Sequence, residues 1–301
     1  MYRISVPATT ANIGPGFDAM GLALNLFLVI EVKPIPSVTQ CVVWSDPNMS
    51  PLPDNKNLIL SSLKKTLDRL GLASKGFELD IQDCQIPVSR GLGSSASAIV
   101  AGIIAANELA GRPMTQKDII DWATELEGHP DNVVPAILGG MSVSFQAGLD
   151  VFTTQVPVPK QLGFAVLIPD FELSTEDARK ALPSDYSKAD CIHNLSRAAF
   201  LVASFNNNSV DGLREALNDK IHQPFRINLI EDGAYILKRA ESVGAIGEFI
   251  SGAGPTLIAL YNKNDASFKD KLSQELSELS NKWTLLDLSV CQQGVTVEVM
   301  K

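Results

Sequence analysis

Residues 87–98 read PVSRGLGSSASA, Pro87-Val88-Ser89-Arg90-Gly91-Leu92-Gly93-Ser94-Ser95-Ala96-Ser97-Ala98, and this stretch decides how the chain of 301 residues is understood. An alternating segment, FELDIQD, precedes it, and an apolar run that reaches about Ala110 follows, so the stretch reads as a turn from a strand into a helix. Gly91 and Gly93 permit positive φ and let the backbone approach a ligand closely. The first N–H groups of a helix have no intrahelical partner, and together with the helix dipole they favour an anion. Ser94 and Ser95 add hydroxyls for phosphate oxygens or a metal ion. The familiar phosphate loop ending in Gly-Lys-Ser/Thr has a lysine that this stretch lacks, but backbone groups can bind phosphate without it. Arg90 could assist or could simply be solvated. A serine N-cap after a glycine turn fits the same residues, and the stretch alone leaves both readings open.

Outward from this turn, periodicity predicts a mixed chain. YRISVPA alternates as a strand, and a second strand is expected over about 22–33. Leu60, Leu63, Leu67 and Leu70 have helical spacing, with Gly71 as the C-cap. Thr115 and Asp118 form a capping-box pattern opening a helix that Gly128 ends. GGMSVSF and DVFTTQVPV read as strands, and PVPKQLG is the best boundary between two units, 1–156 and 157–301. The second unit should hold a strand at FAVLIP and helices near 188–205, 209–219 and 230–242. A strand pair near 246–261, a helix near 265–280 and a last strand, GVTVEVM, follow. Strict βαβ alternation is missing, so the fold class expected is α+β.

Bulk properties exclude several functions. The chain is 45% hydrophobic and 20% charged, with a net charge of −9 and a pI of about 4.9. That balance argues against nucleic-acid binding, which needs a basic face. Cys41, Cys84, Cys191 and Cys291 are too dispersed for a CxxC-type site and read as free thiols in a reducing compartment. No basic-then-apolar leader opens the sequence, and the apolar run 96–106 is too short to span a membrane, so a cytoplasmic protein without a membrane partner is expected. His129, His193 and His222 do not make a zinc ligand cluster.

Two more loops stand out. PATTANIGPGFDAMG (7–21) follows a strand and carries Asn12 and Asp18. ISGAGPTLIALY (250–261) holds Gly252 and Gly254 in a turn expected to offer free N–H groups. Alone, each reads equally as a tight turn. Together with PVSRGLGSSASA, in this order, they resemble the three signature motifs of the GHMP kinases, the family of galactokinase, mevalonate kinase, phosphomevalonate kinase and homoserine kinase. The resemblance covers essentially the whole chain. VPATTANIGPGFDAMGLAL and EGHPDNVVPAILGG are most similar to the homoserine kinase branch.

The resemblance implies a ribosomal protein S5-like N-terminal domain that binds ATP and a ferredoxin-like C-terminal domain. The acceptor site is implied between them. It implies phosphorylation of L-homoserine with ATP and Mg2+, a step from aspartate towards threonine. The nucleotide phosphates would lie on residues 87–97, Gly252 and Gly254. Asn12, Asp18, Asn132, Thr175, Arg179 and Arg226 would surround the substrate, with Asn132, Arg179 and Glu127 taking part in catalysis. Ser94 or Ser95 and a glutamate would hold the metal. Glu125 and Glu127 compete for that role. Glu127 shares the inward stripe of Ile120 and Ala123, whereas Glu125 follows Asp121 on the polar side, which favours Glu127. The short link from Glu127 to His129 departs from some relatives and weakens that alignment. Mevalonate kinase and galactokinase have an aspartate where this chain has Asn132, so transfer without a strong side-chain base is expected, unless Asp131 reaches the acceptor hydroxyl. Arg179 and Arg226 suit a carboxylate and Asp18 an ammonium. The alternatives are a different small alcohol, a catalytically silent sensor and an RNA-binding module, the last disfavoured by the acidic balance. Family members are often dimers, which makes a homodimer an expectation by resemblance.

Overall fold

The computed structural model describes residues 1–47, 51–277 and 279–300. The first part of the chain forms β1 (Tyr2–Ala11), β2 (Met20–Pro34), β3 (Gln40–Trp44), α1 (Leu58–Arg69) and β4 (Phe77–Cys84). It continues through α2 (Ser94–Leu109), α3 (Gln116–Glu127), α4 (Pro130–Leu138), β5 (Met141–Ala147) and β6 (Asp150–Val156). The second part forms β7 (Leu162–Pro169), α5 (Thr175–Lys180), α6 (Lys188–Asn206), α7 (Leu213–Leu217), α8 (Gln223–Arg226) and α9 (Gly233–Ser242). It ends with β8 (Gly247–Ile250), β9 (Leu257–Asn262), α10 (Phe268–Ser277), β10 (Trp283–Leu288) and β11 (Thr296–Val299).

Seven strands make the first sheet, with β11-β1-β2-β4-β3 as its main path and β5 and β6 branching from β2. The branch exists because β2 is 15 residues long: Met20–Leu22 pairs with β5, while Leu28–Pro34 pairs with β4. β3 and β4 are parallel, joined by a connection that contains α1. Four antiparallel strands make the second sheet in the order β10-β7-β9-β8. Counted within that sheet the order is fourth, first, third, second, the ferredoxin-like arrangement. The fold is therefore α+β in two layered units. The chain leaves the first sheet after Val156, and its last strand, β11, returns to pair with β1. Among the described residues no helix is long and apolar enough to cross a membrane.

The packing follows from the patterns in the sequence. Leu60, Leu63 and Leu67 on α1 are at most 2% exposed, each contributing about 1.5–3 kcal/mol on burial. α2 is buried nearly all round. It crosses α1 so closely that a Cβ at Gly102 would lie 2.0 Å from Ser62 Oγ and 2.3 Å from the Ile59 carbonyl oxygen. Every residue of β7 is buried. Its Phe164, Val166 and Ile168 join the large core that runs through the first unit and takes in α6 and α7, while Ala165 and Leu167 join a second core with α9 and α10, as period-two alternation requires.

The capping box of α3 is present, Asp118 N–H donating to Thr115 Oγ1 and Thr115 N–H to Asp118 Oδ2, and Gly128 closes the helix at φ +95°. Periodicity did not anticipate β3, α4, α5, α8 or β10. The helix expected over 209–219 covers only Leu213–Leu217, since Gly212 at φ +72° precedes it and extended Asn218 ends it. The helix expected near 265–280 spans Phe268–Ser277; Glu278 lies outside the described residues.

Candidate active site

A cleft lies where the loop after β1, the start of α2, the α3–α4 junction and the β8–β9 turn converge, with α5 and α8 opposite. On one wall, Gly93 at φ +68° and ψ 28° caps α2 without any side-chain cap. Ser97 N–H is bonded to the Gly93 carbonyl oxygen at 2.9 Å. Among the described residues the N–H groups of Ser94, Ser95 and Ala96 have no hydrogen-bond partner, which is the electropositive helix start an anion needs. A Cβ on Gly93 would lie 2.0 Å from Thr9 Oγ1, and one on Gly91 2.5 Å from the Ser251 carbonyl oxygen. Both positions thus require glycine for φ and for space.

Residues 87–97 divide sharply. Ser89, Gly91, Gly93, Ser94 and Ser95 line the cleft. Leu92 and Ala96 are core residues, and buried Ser97 Oγ donates to the Pro7 carbonyl oxygen. Pro87 and Val88 do not line it. Arg90 turns away as a clamp, donating to the carbonyl oxygens of Val88, Pro169 and Asp170 and pairing with Glu172 at 3.3 Å. Its guanidinium is committed to the second unit rather than to the cleft.

The β8–β9 turn also differs from expectation. Gly252 N–H is bonded to the Ala11 carbonyl oxygen and Gly254 N–H to that of Ser251. The first N–H is consumed in holding the turn against β1 and the second in closing the turn on itself. The turn lines the cleft through Gly252, Ala253 and Gly254, and the Gly252 carbonyl oxygen accepts from Asn12 Nδ2 at 2.7 Å and Arg226 NH1 at 3.0 Å.

The opposite wall is ionic. Arg179 forms a two-pronged bond to Asp18, at 3.0 and 3.2 Å, with both side chains over a third exposed. Arg226 is 2% exposed. Besides Gly252 it donates to the Ala178 carbonyl oxygen, and it lies 5.2 Å from the Phe17 ring centre. Burial, then the neighbouring Arg179 charge, push Arg226 below the usual guanidinium value. Thr175 lines the same wall. Asn12 Oδ1 accepts from Asp18 N–H, so its amide staples the β1 loop to the β8–β9 turn.

At the α3–α4 junction Ser95 Oγ donates to Glu127 Oε2 at 2.7 Å. Burial pushes the Glu127 carboxyl up, against the opposing pull of Ser95 and His129. Glu125 is outside the cleft, 3.6 Å from Arg69. Asp131 Oδ1 accepts from Asn132 Nδ2 at 3.2 Å and lies 2.7 Å from His129 Nδ1. Burial pulls His129 down, but the Asp131 bond and charge, with Glu127 and Asp18, outweigh it and raise the net value. Asp131 and Asn132 both line the cleft.

This constellation has relatives. Residues 57–140 match the GHMP kinases N terminal domain, and residues 201–278 match the GHMP kinases C terminal family. A homoserine kinase of Clostridium kluyveri is 46% identical over 98% of both chains. The chain belongs to the GHMP kinase family. A second homoserine kinase, from Clostridium novyi, is 44% identical to this GHMP kinase over 95% of each chain. Among solved structures, the homoserine kinase of Cytophaga hutchinsonii superposes with a TM-score of 0.88 at 28% identity, covering 98% of this chain and 96% of that one. A mevalonate kinase of L. major in complex with R-mevalonate shares the fold, with a TM-score of 0.71 at 17% identity, over 96% and 95% of the two chains.

The residues of this GHMP kinase suit a magnesium ion. Glu127 is a desolvated carboxylate with a serine hydroxyl beside it, and Ser94 adjoins them. Among the described residues no group of three or more His, Cys, Asp or Glu could hold a metal. A pair of protein oxygens completed by phosphate and water is the usual magnesium arrangement.

Motif reading missed the support behind the ionic wall. His222, fully buried, has Nε2 2.8 Å from the Gly14 carbonyl oxygen. Burial lowers its proton affinity; Nε2 faces a carbonyl oxygen and Nδ1 faces Arg226 NH1 at 3.5 Å, the arrangement of a ring that donates from Nε2 and accepts at Nδ1, and it stacks on Phe17 at 5.4 Å. Asp219 accepts from the N–H groups of Ile221, His222 and Gln223 and from Asn194 Nδ2. These contacts hold α8, and with it Arg226, against the β1 loop. No local signal marks them, because each is an isolated polar residue in an ordinary helix or turn.

Proposed function

We propose that the protein transfers the γ-phosphoryl group of ATP to the side-chain hydroxyl of L-homoserine, giving O-phospho-L-homoserine and ADP. The observation that carries this reading is one cleft holding both halves of a zwitterion receptor, Asp18 against Arg179 and Arg226, beside a helix start with unpartnered N–H groups. The full-length homoserine kinase relatives support the same substrate.

In this reading the phosphates lie on the start of α2, with Ser89, Gly91 and Gly93 allowing close approach. Magnesium held by Ser95 or Ser94 with Glu127 would neutralise phosphate charge. Arg226 and Arg179 take the substrate carboxylate as guanidinium forks, and Asp18 takes the ammonium. Asn12 and Thr175 complete the substrate pocket, and Asn132 orients the hydroxyl. The hydroxyl oxygen bonds to the γ-phosphorus, the bond to the β–γ bridging oxygen breaks, and the hydroxyl proton leaves late to a phosphoryl oxygen or water. Asn132 is no base, and Asp131 spends Oδ1 on its neighbours; positioning and charge neutralisation carry the step. Residues 1–156 bind the nucleotide, and the acceptor site lies between them and residues 157–301, with β11 lent back to the first sheet; Lys301 lies outside the described residues. Exposed Phe145, Leu149 and Phe152 on the β5–β6 hairpin, the two rings stacked at 5.1 Å, support a homodimer. Four free cysteines support a cytoplasmic site.

The test is a coupled ADP-release assay with ATP and magnesium, offering L-homoserine, mevalonate and galactose separately. Release with L-homoserine alone is expected. Release with another alcohol instead would overturn the substrate, and ATP binding without release from L-homoserine would overturn the reaction. Asp131→Asn examines the proton: a loss of about 10²-fold or more in kcat, with the pH dependence of kcat flattened, would restore a side-chain base.

A further inference from the structure

We infer that Thr9 is a positioning residue for phosphoryl transfer, locking the amide of Asn132 and tying it to the phosphate-side loop. This rests on the reading that Asn132 meets the acceptor hydroxyl. Thr9 sits near the end of β1 and is fully buried. Its backbone N–H donates to the Leu92 carbonyl oxygen at 3.1 Å. Its Oγ1 donates to Asn132 Oδ1 at 2.8 Å. The same hydroxyl lies 2.0 Å from where a Cβ on Gly93 would be. One residue therefore touches the loop before α2, the cap of α2 and the first turn of α4. Thr10 points to the other face of the strand, where its Oγ1 accepts from Ser251 Oγ, as alternation demands.

The arrangement determines what Asn132 can offer. An amide presents an acceptor oxygen on one side and two N–H donors on the other. Asn132 Nδ2 is 3.2 Å from Asp131 Oδ1. Turning the amide over would set its oxygen against that carboxylate oxygen, which is repulsive. It would also turn the amide nitrogen towards Thr9, whose hydroxyl would then have to accept rather than donate. Asp131 and Thr9 thus select one orientation from opposite ends. Nδ2 has a second N–H beyond the one given to Asp131, and no other residue among those described accepts it. That donor suits the oxygen of the acceptor hydroxyl and leaves the hydroxyl proton free to face the phosphate. Because the Thr9 backbone N–H also holds Leu92, one buried residue links Asn132 to the phosphate loop, by its side chain on one side and its backbone on the other.

The experiment is a double-mutant cycle on the full chain: Thr9→Val, Asn132→Ala and both together, with Thr9→Ser as rescue and Thr9→Ala as a second truncation. kcat, both KM values and thermal unfolding are measured, with the assays run well below each midpoint. Thr9→Val should lower kcat about tenfold or more while both KM values stay within about threefold. Thr9→Ser should recover most of the loss, and in the Asn132→Ala background Thr9→Val should cost less than about twofold, since its partner is gone. Full kcat in Thr9→Val and Thr9→Ala, or an equal loss in both backgrounds, overturns the inference. Full kcat in Asn132→Ala alone overturns the role of Asn132 and the inference with it, and is told apart from the former by that single variant.

Discussion

The two walls of the cleft are built by opposite means. The wall proposed for phosphate is backbone: a left-handed glycine, a helix start and, among the described residues, three unpartnered N–H groups, all within a few consecutive residues. The wall proposed for the acceptor is side chain: Asp18, Arg179 and Arg226 come from three distant segments, the first two paired with each other and the third seated by a buried network through His222, Asp219 and Asn194. The first wall is fixed by local geometry and depends on the absence of a Cβ. The second depends on charges that long-range packing brings together. Substitutions should therefore separate the two substrates.

The largest effect is expected at Gly93→Ala, where the new methyl must meet Thr9 Oγ1 and a φ of +68°. kcat/KM for ATP should fall about 10²–10³-fold as the N–H groups shift, while direct binding of L-homoserine, measured calorimetrically, changes little. Equal loss of L-homoserine binding would merge the two walls into one unit. Next comes Arg226→Ala, which removes a buried cation with two carbonyl partners. KM for L-homoserine should rise about 10²-fold with ATP binding retained. Arg179→Ala, on an exposed side chain, should raise that KM only about tenfold, and a larger rise than at Arg226 would reverse their ranking.

Outside both walls, the Glu248 carboxyl is pushed by burial from 4.5 up to about 7, against Arg214, and its Oε2 has no hydrogen-bond partner. Because the folded-state value lies above the ordinary one, the folded protein holds this proton more tightly. The stabilisation is complete below pH 4.5 and is lost as the pH rises through 7. Glu248→Gln should therefore stabilise the protein at pH 8 by about 1–2 kcal/mol, after discounting for partial exposure. At pH 5 it should do little, and kcat should be unchanged. Denaturant unfolding at the two pH values checks this. The smallest effect is expected at Glu125→Gln, on the surface beside Arg69: less than about a twofold change in activity.

How much could be read beforehand follows the same division. Gly91, Gly93, Ser94 and Ser95 were legible as cleft residues because they are nearly contiguous, and the α3 cap was legible because a capping box is a four-residue signal. Glu127 was separated from Glu125 by helical spacing alone, and the cleft holds the one and not the other. Arg90 misled because its position before the loop says nothing of where a long side chain finds carbonyl oxygens. Gly252 and Gly254 misled because their N–H groups are consumed by partners in other segments as well as their own. Arg226 was placed at the substrate by resemblance alone; its burial comes from Phe17, His222 and Gly252, which no local window contains. α4 was overlooked because HPDN reads as a turn, although Pro130 at the first helical position is itself a start signal.

The Asp18–Arg179 fork has a consequence for selectivity. It is already a carboxylate on a guanidinium, and each of its members suits one end of an amino acid, Arg179 the carboxylate and Asp18 the ammonium. In the proposed reading, arrival of the substrate would exchange partners rather than add them: the ammonium would replace Arg179 at Asp18, and the carboxylate would replace Asp18 at Arg179. Net charge in the cleft is the same before and after. A ligand with a hydroxyl and only one of the two charges must open the fork and leave one member stranded. Discrimination of this kind works by penalising the wrong alcohol more than by holding the right one tightly.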